Sequence, residues 1–343
     1  MFTTTAKSLY STVATLGLTR AQVRKLLPAW WVPEAEKHRD GIAELAMHLS
    51  RRLSIDLRSL LAGKIQPKGA VSNLAFKHRV NVDGSSLSAA TYIASSLAQA
   101  ILSALPSKYT PLPEGPMMLQ SAVRKVGDGF LGFESLLALC WKHGIPVIPL
   151  PNLPVGVRKM DGAVLQVRNR PVIVIAKKKS SRAWLSFILA HEMGHIALGH
   201  LKPGSTIIDV SLQETTTYAT DSSNDQQEAD ADAFALKAMG GSDVKSVISN
   251  WPSDLSPVEL AVSARQASQR TKIEAGHFIL RHAFDSKRWA DAVSALGFLR
   301  EDLDPESILL SHLKAHLDLE LVAEDLQDMV QQVTGWNRPE SRA

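Results

Sequence analysis

The spacing of hydrophobic positions predicts a helical N-terminal third. Segments 20–27 and 56–62, and a longer one over 34–50, show the periodicity of amphipathic helices. Residues 84–107 carry no charged side chain, but their larger apolar residues fall on one helical face. This pattern favours an amphipathic helix over a membrane span. Four prolines within residues 106–117 then predict a linker.

Beyond the linker, the pattern changes from helical to extended. After a helix over 118–127, three short runs rich in β-branched residues predict strands over residues 144–150, 162–167 and 171–176. The last two runs are separated by a hairpin-like turn. A helix then begins near Ser180 or Ser181, and the chain beyond residue 226 is mostly helical. The sequence therefore predicts an α+β fold, with a small sheet followed by helices.

These changes of pattern divide the chain into four predicted parts. They are a helical N-terminal region (1–105), the linker (106–117), a central domain (118–285) and a helical C-terminal extension (286–343).

Composition narrows the class of protein. Of 343 residues, 45% are hydrophobic and 21% are charged, which is typical of a globular protein and excludes wholesale disorder. Cys140 is the single cysteine, so an intrachain disulfide and a cysteine-rich zinc site are excluded. No continuous apolar run follows the initial Met1, so we expect no signal peptide and no membrane anchor, and a cytoplasmic protein.

Charge is unevenly distributed. Residues 1–82 contain 13 Lys and Arg against 5 Asp and Glu, a net charge of +8, within a chain whose total is +4. This basic segment is either a solvated face or a surface for an anionic partner such as DNA. Its short helices only loosely fit a helix-turn-helix, because Trp30, Trp31 and Pro33 interrupt them. The two tryptophans favour an apolar anchor over a platform that stacks on bases.

An HExxH motif carries the strongest chemical signal. His191 and His195 are four residues apart on a predicted helix, so both imidazoles leave one face and can reach one cation. Glu192 follows the first histidine, beside the metal, where it can act as a general base on the attacking water. Because the flanking helix is strongly apolar, burying these three groups without a metal would cost several kcal/mol.

A third ligand is expected from a second acidic helix. Glu228 begins an ExxAD sequence 33 residues after His195, and Asp232 lies one helical turn further on. We expect Glu228 to complete the coordination and Asp232 to accept a hydrogen bond from a ligand histidine. Asp230 is the alternative third ligand. His200 follows His195 too closely for the metzincin spacing, so we expect it to support the site rather than to bind the metal.

These motifs resemble known metallopeptidases. HExxH followed by ExxAD is similar to the gluzincin pattern of thermolysin-type enzymes. HEMGHIALGH at 191–200, with EADADAFA at 228–235 and the preceding strands, resembles the ImmA/IrrE family of bacterial metallopeptidases over about residues 120–285. The resemblance implies a zincin-like fold, one divalent metal with Zn²⁺ the first choice, and endopeptidase action. By position, His191, His195 and Glu228 match the ligands, and Glu192 matches the general base.

The same resemblance implies a partner. Such enzymes typically act on an XRE-type (helix-turn-helix) repressor or antitoxin in bacterial stress responses, mobile elements or toxin–antitoxin-like pairs. We expect the substrate to lie extended along the outermost strand near the site, 162–167 or 171–176. Tyr218 and His277 are candidates for stabilising the oxyanion. Two other hypotheses stay open: a non-proteolytic effector or interaction module with a structural metal, and a DNA-binding regulator acting through residues 1–82.

Overall fold

The computed structural model describes residues 4–68, 88–157, 161–176, 181–201, 206–209, 226–299 and 304–337. Over these residues the chain forms fifteen α-helices, two short 3-10 helices and four β-strands, which confirms the predicted α+β class. The α-helices are α1 (Ala6–Ala14), α2 (Arg20–Leu26), α3 (Arg39–Arg52), α4 (Leu57–Leu61), α5 (Ser88–Ala104), α6 (Pro116–Val126), α7 (Phe133–Lys142), α8 (Arg182–Ala197), α9 (Gln226–Ala238), α10 (Gly241–Ile248), α11 (Pro257–Thr271), α12 (Ala275–Ser286), α13 (Trp289–Gly297), α14 (Pro305–His316) and α15 (Glu324–Thr334). The strands are β1 (Val147–Pro149), β2 (Gly162–Val167), β3 (Arg170–Ile175) and β4 (Thr206–Asp209).

Side-chain caps fix the starts of the short N-terminal helices. Thr19 and Gln22 form a reciprocal capping box at the start of α2. Asp56 accepts a hydrogen bond from the backbone N–H of Ser59, at 2.8 Å, at the start of α4. Both helices lie where the sequence predicts them, within one residue at each end.

The predicted helix over 34–50 is two separate elements. A 3-10 helix covers Pro33–Lys37, and α3 begins after His38, whose backbone is extended. The two elements touch at Gly41, where an added Cβ would collide with the backbone carbonyl of Ala35. Close backbone approach at this glycine therefore allows the chain to fold back on itself, where the sequence predicted one continuous helix.

Except at Ser103 near its end, helix α5 lacks the solvent-facing side predicted for an amphipathic helix. Its small polar residues are buried with the apolar ones: Thr91 and Ser96 are 1% and 2% exposed. The helix contacts α3, α15 and β2, and the Ser96 hydroxyl donates to the backbone carbonyl of Arg51 at 2.8 Å. Alanine and serine allow this close packing because they add little volume. Among the described residues, no helix is both long and apolar enough to cross a bilayer.

The four strands form one mixed sheet in the order β1-β3-β2-β4. β1 pairs with β3 in parallel, and the other two pairings are antiparallel. The predicted hairpin joins β2 to β3 through Arg168 and Asn169, both with positive φ, as type I′ turns require. β4 was not predicted. Because β2 and β3 are both internal, the expectation that a substrate pairs with 162–167 or 171–176 is wrong, and the edges are β1 and β4.

The sheet separates two hydrophobic cores. Alternate residues of β2 and β3 point to opposite faces, so Leu165 and Val172 contribute to one core while Val164 and Ile173 contribute to the other. The first core contains the N-terminal helices and α15, and the second contains α7, α8, α9, α11 and α12. Burial on both faces explains why these strands are continuous apolar runs in the sequence.

Contacts cross the predicted boundaries of the four parts. In the predicted linker, Leu112 is buried in the second core, and Thr110 N–H donates to the carbonyl of His143 at 2.9 Å. At the C-terminal side, the buried guanidinium of Arg52 donates to the backbone carbonyls of Leu26 and Asp325 and so ties α2 to α15. The division into domains stays a prediction.

Candidate metal centre

Two histidines of α8 face each other in the interior. The helix is apolar around its circumference and is buried along most of its length, so its polar residues are enclosed with it. His191 and His195 are both 0% exposed, and their Nε2 atoms are 3.0 Å apart. The i, i+4 spacing thus brings both imidazoles to one point, as the sequence predicted.

Helix α9 brings a carboxylate to the same point. Glu228 is 4% exposed, with Oε2 3.3 Å from His191 Nε2 and Oε1 3.4 Å from His195 Nε2. Throughout the described part of the chain, these three residues form the one group of His, Cys, Asp or Glu whose potential ligand atoms all lie within 4.8 Å of one another. Asp230, the alternative third ligand, is exposed and accepts a hydrogen bond from Gln226 instead.

The Nδ1 atom of each imidazole has a partner within hydrogen-bonding distance. Asp232 Oδ1 lies 2.8 Å from His191 Nδ1, and His200 Nδ1 lies 2.9 Å from His195 Nδ1. With a metal bound, a proton on each ligand Nδ1 would be donated outward, to Asp232 and to His200, and both Nε2 lone pairs would be free to bind the metal. The structure therefore places Asp232 and His200 within hydrogen-bonding distance of the two imidazoles, and their role in supporting a metal site stays a prediction.

This donor set fits a divalent metal of the zinc type. Two ligand atoms of a tetrahedral Zn²⁺ are about 3.3 Å apart when each metal–ligand distance is 2.0–2.1 Å. The Nε2 atoms of His191 and His195, 3.0 Å apart, are close to that spacing. Two imidazoles and one carboxylate also leave a fourth position open, as catalytic zinc sites do.

The protonation states favour cation binding. Burial alone would raise the pKa of the Glu228 carboxyl, but hydrogen bonds from His191 and His195 hold that pKa far below its usual range. Burial and, to a smaller extent, the neighbouring His191 lower the pKa of His195 to about 4, against the opposing effect of Glu228. Glu228 is therefore charged and His195 neutral at pH 7, which are the forms that bind metals.

Glu192 lies on the side of α8 that faces the sheet. Its side chain is buried, at 1% exposure, next to the first residue of β2. A Cβ added to Gly162 would collide with Oε1 of this carboxylate and would lie 3.0 Å from Cγ2 of Ile188. The missing side chain at Gly162 therefore makes the space that Glu192 occupies, a role that sequence analysis did not assign.

A second glycine brings the two helices of the site together. Gly194 of α8 packs against α9. An added Cβ at Gly194 would lie 3.2 Å from the backbone oxygen of Ala231 and 3.3 Å from the ring of Phe234. This close approach sets the distance between the histidines of α8 and the carboxylates of α9.

The two candidates for oxyanion stabilisation have different outcomes. His277 is buried in α12 and lines a cavity of about 290 Å³ with Ala233, Leu236 and Lys237, and none of the three potential ligands lines that cavity. Burial, and next the charge of Arg281, lower the pKa of His277 to about 3. Tyr218 lies outside the described residues, as do the lysines 177–179 that precede α8.

Comparison with known families places this centre in a recognised domain. Residues 140–239 match the Peptidase_M78 family, described as an IrrE N-terminal-like domain. The match is shorter than the stretch 120–285 that resembles ImmA/IrrE proteins, but it contains the whole sheet, α8 and α9. No curated protein gives a significant match to the chain. Residues 140–239, with the His-His-Glu cluster among them, are therefore similar to the IrrE N-terminal-like domain of the Peptidase_M78 family, and this similarity supports a function of metallopeptidase type.

Proposed function

We propose that the chain is a zinc-dependent endopeptidase of the gluzincin type. The observation that carries this proposal is the convergence of His191, His195 and Glu228 on one buried point, with the buried carboxylate of Glu192 one residue after His191 on the same helix. A purely structural metal site needs no such additional carboxylate, because its ligands fill the coordination sphere.

His191, His195 and Glu228 would hold the metal. Nitrogen and oxygen donors in this number favour Zn²⁺ over Mg²⁺ or Ca²⁺, which prefer larger sets of oxygen ligands. When bound, such an ion polarises a peptide carbonyl and makes water a stronger nucleophile near neutral pH. Asp232 and His200 would orient the imidazoles through their Nδ1 atoms.

Glu192 would move the proton. Its carboxylate accepts a proton from the attacking water and later delivers that proton to the amine that leaves. Gly162 and Ile188 border the carboxylate, so its position is defined by β2 as well as by α8.

The peptide substrate would bind along β4. This strand is an edge of the sheet, and its pairing register puts Asp209 opposite Gly162, the residue that borders Glu192. An extended peptide added to β4 therefore runs past the general base, held by backbone hydrogen bonds that make few sequence demands.

We further propose a protein substrate of the XRE-type repressor or antitoxin class, in bacterial stress, mobile-element or toxin–antitoxin regulation, and a cytoplasmic location. The support for this is the resemblance of the HEMGHIALGH and EADADAFA motifs to ImmA/IrrE proteins.

Cleavage of a peptide library, read by mass spectrometry, tests the enzyme. We expect the zinc-loaded protein to cleave peptides, a chelator to stop cleavage, and added Zn²⁺ to restore it. Glu192→Gln should keep the metal and lose about 10²–10⁴-fold in rate. Glu34→Gln, at an exposed glutamate, is the matched control and should retain full activity.

Two results would overturn the proposal. Equal cleavage by Glu192→Gln would remove the general base. A zinc-loaded protein that binds a repressor-like partner but cuts neither the partner nor the library would favour the interaction module with a structural metal.

A further inference from the structure

A cleft formed by residues that are distant in sequence from the metal centre exposes two large apolar side chains. Trp30 is 60% exposed and Met47 is 52% exposed, and both line a cavity of about 510 Å³ between α3 and the start of α15. We call this cavity the Trp30 cleft. A tryptophan so exposed is uncommon, and large apolar side chains gathered at one opening mark binding surfaces more often than plain surface.

The indole of Trp30 packs against two other aromatic rings. Its ring centroid lies 5.3 Å from His48 in an edge-on contact and 6.2 Å from the neighbouring ring of Trp31. His48 is buried and also contacts Trp31, with ring centroids 5.6 Å apart. These contacts orient the exposed indole before any ligand arrives, which reduces the entropy lost on binding.

Carboxylates surround this aromatic side chain. Glu44, Glu324 and Asp325 line the cleft, and Arg51 is the cation that lines it with them. Arg51 pairs with Asp325, with 3.0 Å between Nη2 and Oδ1. Glu44 and Glu324 therefore give the cleft a net negative charge.

The nearby histidine does not neutralise Glu44. His48 Nε2 lies 3.7 Å from Glu44 Oε1, but burial, and next the charge of Arg52, lower the pKa of His48. The imidazole is neutral at pH 7 as a result. The cleft is thus an acidic spot between the basic segment 1–82, whose net charge is +8, and the start of α15, which contributes Glu324 and Asp325.

We propose that the Trp30 cleft binds a lysine or arginine side chain, with its apolar neighbours, presented by a helical segment of a protein partner. The cation lies over the face of Trp30 and is flanked by Glu44 and Glu324, while Met47 contacts the apolar neighbours of that side chain. Charge complementarity selects this occupant, because a nucleic acid would meet carboxylates here. The site is independent of the proposed peptidase activity.

Calorimetric titration of the full chain tests this proposal. The probe is a short acetylated and amidated peptide of leucine and arginine at helical spacing, and its counterpart carries glutamate in place of arginine. We expect the basic peptide to bind and the acidic peptide to bind at least about tenfold more weakly. Trp30→Ala should weaken the basic peptide about tenfold, and Trp30→Phe should give an intermediate loss.

Charge variants and controls complete the experiment. Glu44→Gln combined with Glu324→Gln should weaken binding about fivefold and reduce its dependence on salt. Met117→Ala, at a side chain that is 62% exposed, and Asp254→Asn, at an exposed carboxylate, should change nothing.

Several results would overturn the proposal. Equal affinity for the two peptides, no binding of either at about 1 mM, or unchanged binding by Trp30→Ala would each remove the cation site. Self-association that Trp30→Ala abolishes would assign the cleft to a second copy of the chain. Duplex DNA affinity that falls in the same variant would assign it to nucleic acid.

Discussion

Helices α5 and α8 are both enclosed by the rest of the protein, but they bury different chemistry. α5 contains no Asp, Glu, His, Lys or Arg, and its buried polar groups are neutral, such as Ser96, which donates one hydrogen bond to a backbone carbonyl. α8 buries His191, Glu192 and His195 at 0–1% exposure.

The difference shows how to distinguish a packing helix from a functional one. A neutral hydroxyl needs a single partner, so α5 can be buried at little cost. A buried ionisable group is far more costly, and such groups persist where a charge or a metal compensates them. In α8, His191 and His195 lie within one cluster with Glu228, and Glu192 borders the sheet beside them in sequence. In α5 the small side chains serve close packing.

The largest expected effect comes from placing an ionisable side chain at a buried position of α5, as α8 has at its own buried positions. Ala98 is 0% exposed, so Ala98→Glu should lower the free energy of unfolding by about 4 kcal/mol or prevent folding. Ser103→Glu places the same group at an exposed position of the same helix and should change it by less than about 0.5 kcal/mol. Denaturant unfolding measures both. Equal stability of Ala98→Glu and the unsubstituted protein would contradict the claim that an uncompensated ionisable group is costly to bury in α5.

The second-largest expected effect concerns the hydrogen bond between Asp232 and Nδ1 of His191. Because Asp232 accepts from Nδ1, Asp232→Asn should weaken metal binding about 10–100-fold. Competition with a chromophoric chelator measures this affinity. Asp230→Asn, two residues earlier on the exposed face of α9, should bind metal normally, and a loss there as large as in Asp232→Asn would restore Asp230 as a ligand candidate.

His277 shows the cost of a buried imidazole outside the cluster. Its pKa is lowered to about 3, chiefly by burial, whereas an unfolded histidine titrates near 6.5. The contribution of neutral His277 to the free energy of unfolding is at its full value above pH 6.5. It is lost as the pH falls, because the unfolded state takes up a proton that the folded state does not.

The loss assigned to His277 should amount to about 2 kcal/mol between pH 7 and pH 5. Unfolding of the metal-free protein at both pH values should therefore show that His277→Gln loses about 2 kcal/mol less than the unsubstituted protein. His38→Gln, at an exposed histidine, should match the unsubstituted protein. Parallel pH profiles for all three would contradict the assigned burial effect.

The smallest expected effect sharpens the position of Glu192. Gly162→Ala should displace the carboxylate and lower the cleavage rate about tenfold while the metal content stays unchanged. Gly297→Ala is the matched control, since an added Cβ there meets open space. Full activity of Gly162→Ala would show that β2 does not fix the general base.

The sequence predicted what depends on local spacing. The four-residue interval between His191 and His195 determines a shared helix face, so the sequence alone was enough to pair them. The hairpin turn at 168–170 was equally local. The choice between Glu228 and Asp230 depends on which face of α9 packs against α8, and the contact at Gly194 sets that packing.

What the sequence could not predict depends on contacts between distant segments. β4 is only four residues long and pairs with β2 from beyond α8, so the edges of the sheet were assigned wrongly. The hydrophobic periodicity of α5 suggested one solvent face, because periodicity does not reveal what covers the serine face. The role of Gly162 depends on a side chain 30 residues later in the chain, which no local pattern records.

Elemental analysis of the purified full chain tests the central claim most directly, namely that His191, His195 and Glu228 share one metal ion. After incubation with Zn²⁺ and removal of the excess, we expect about one zinc per chain, its loss in His191→Ala, and its retention in His38→Ala. Absence of zinc from the unsubstituted protein, or equal zinc in His191→Ala, would contradict the claim.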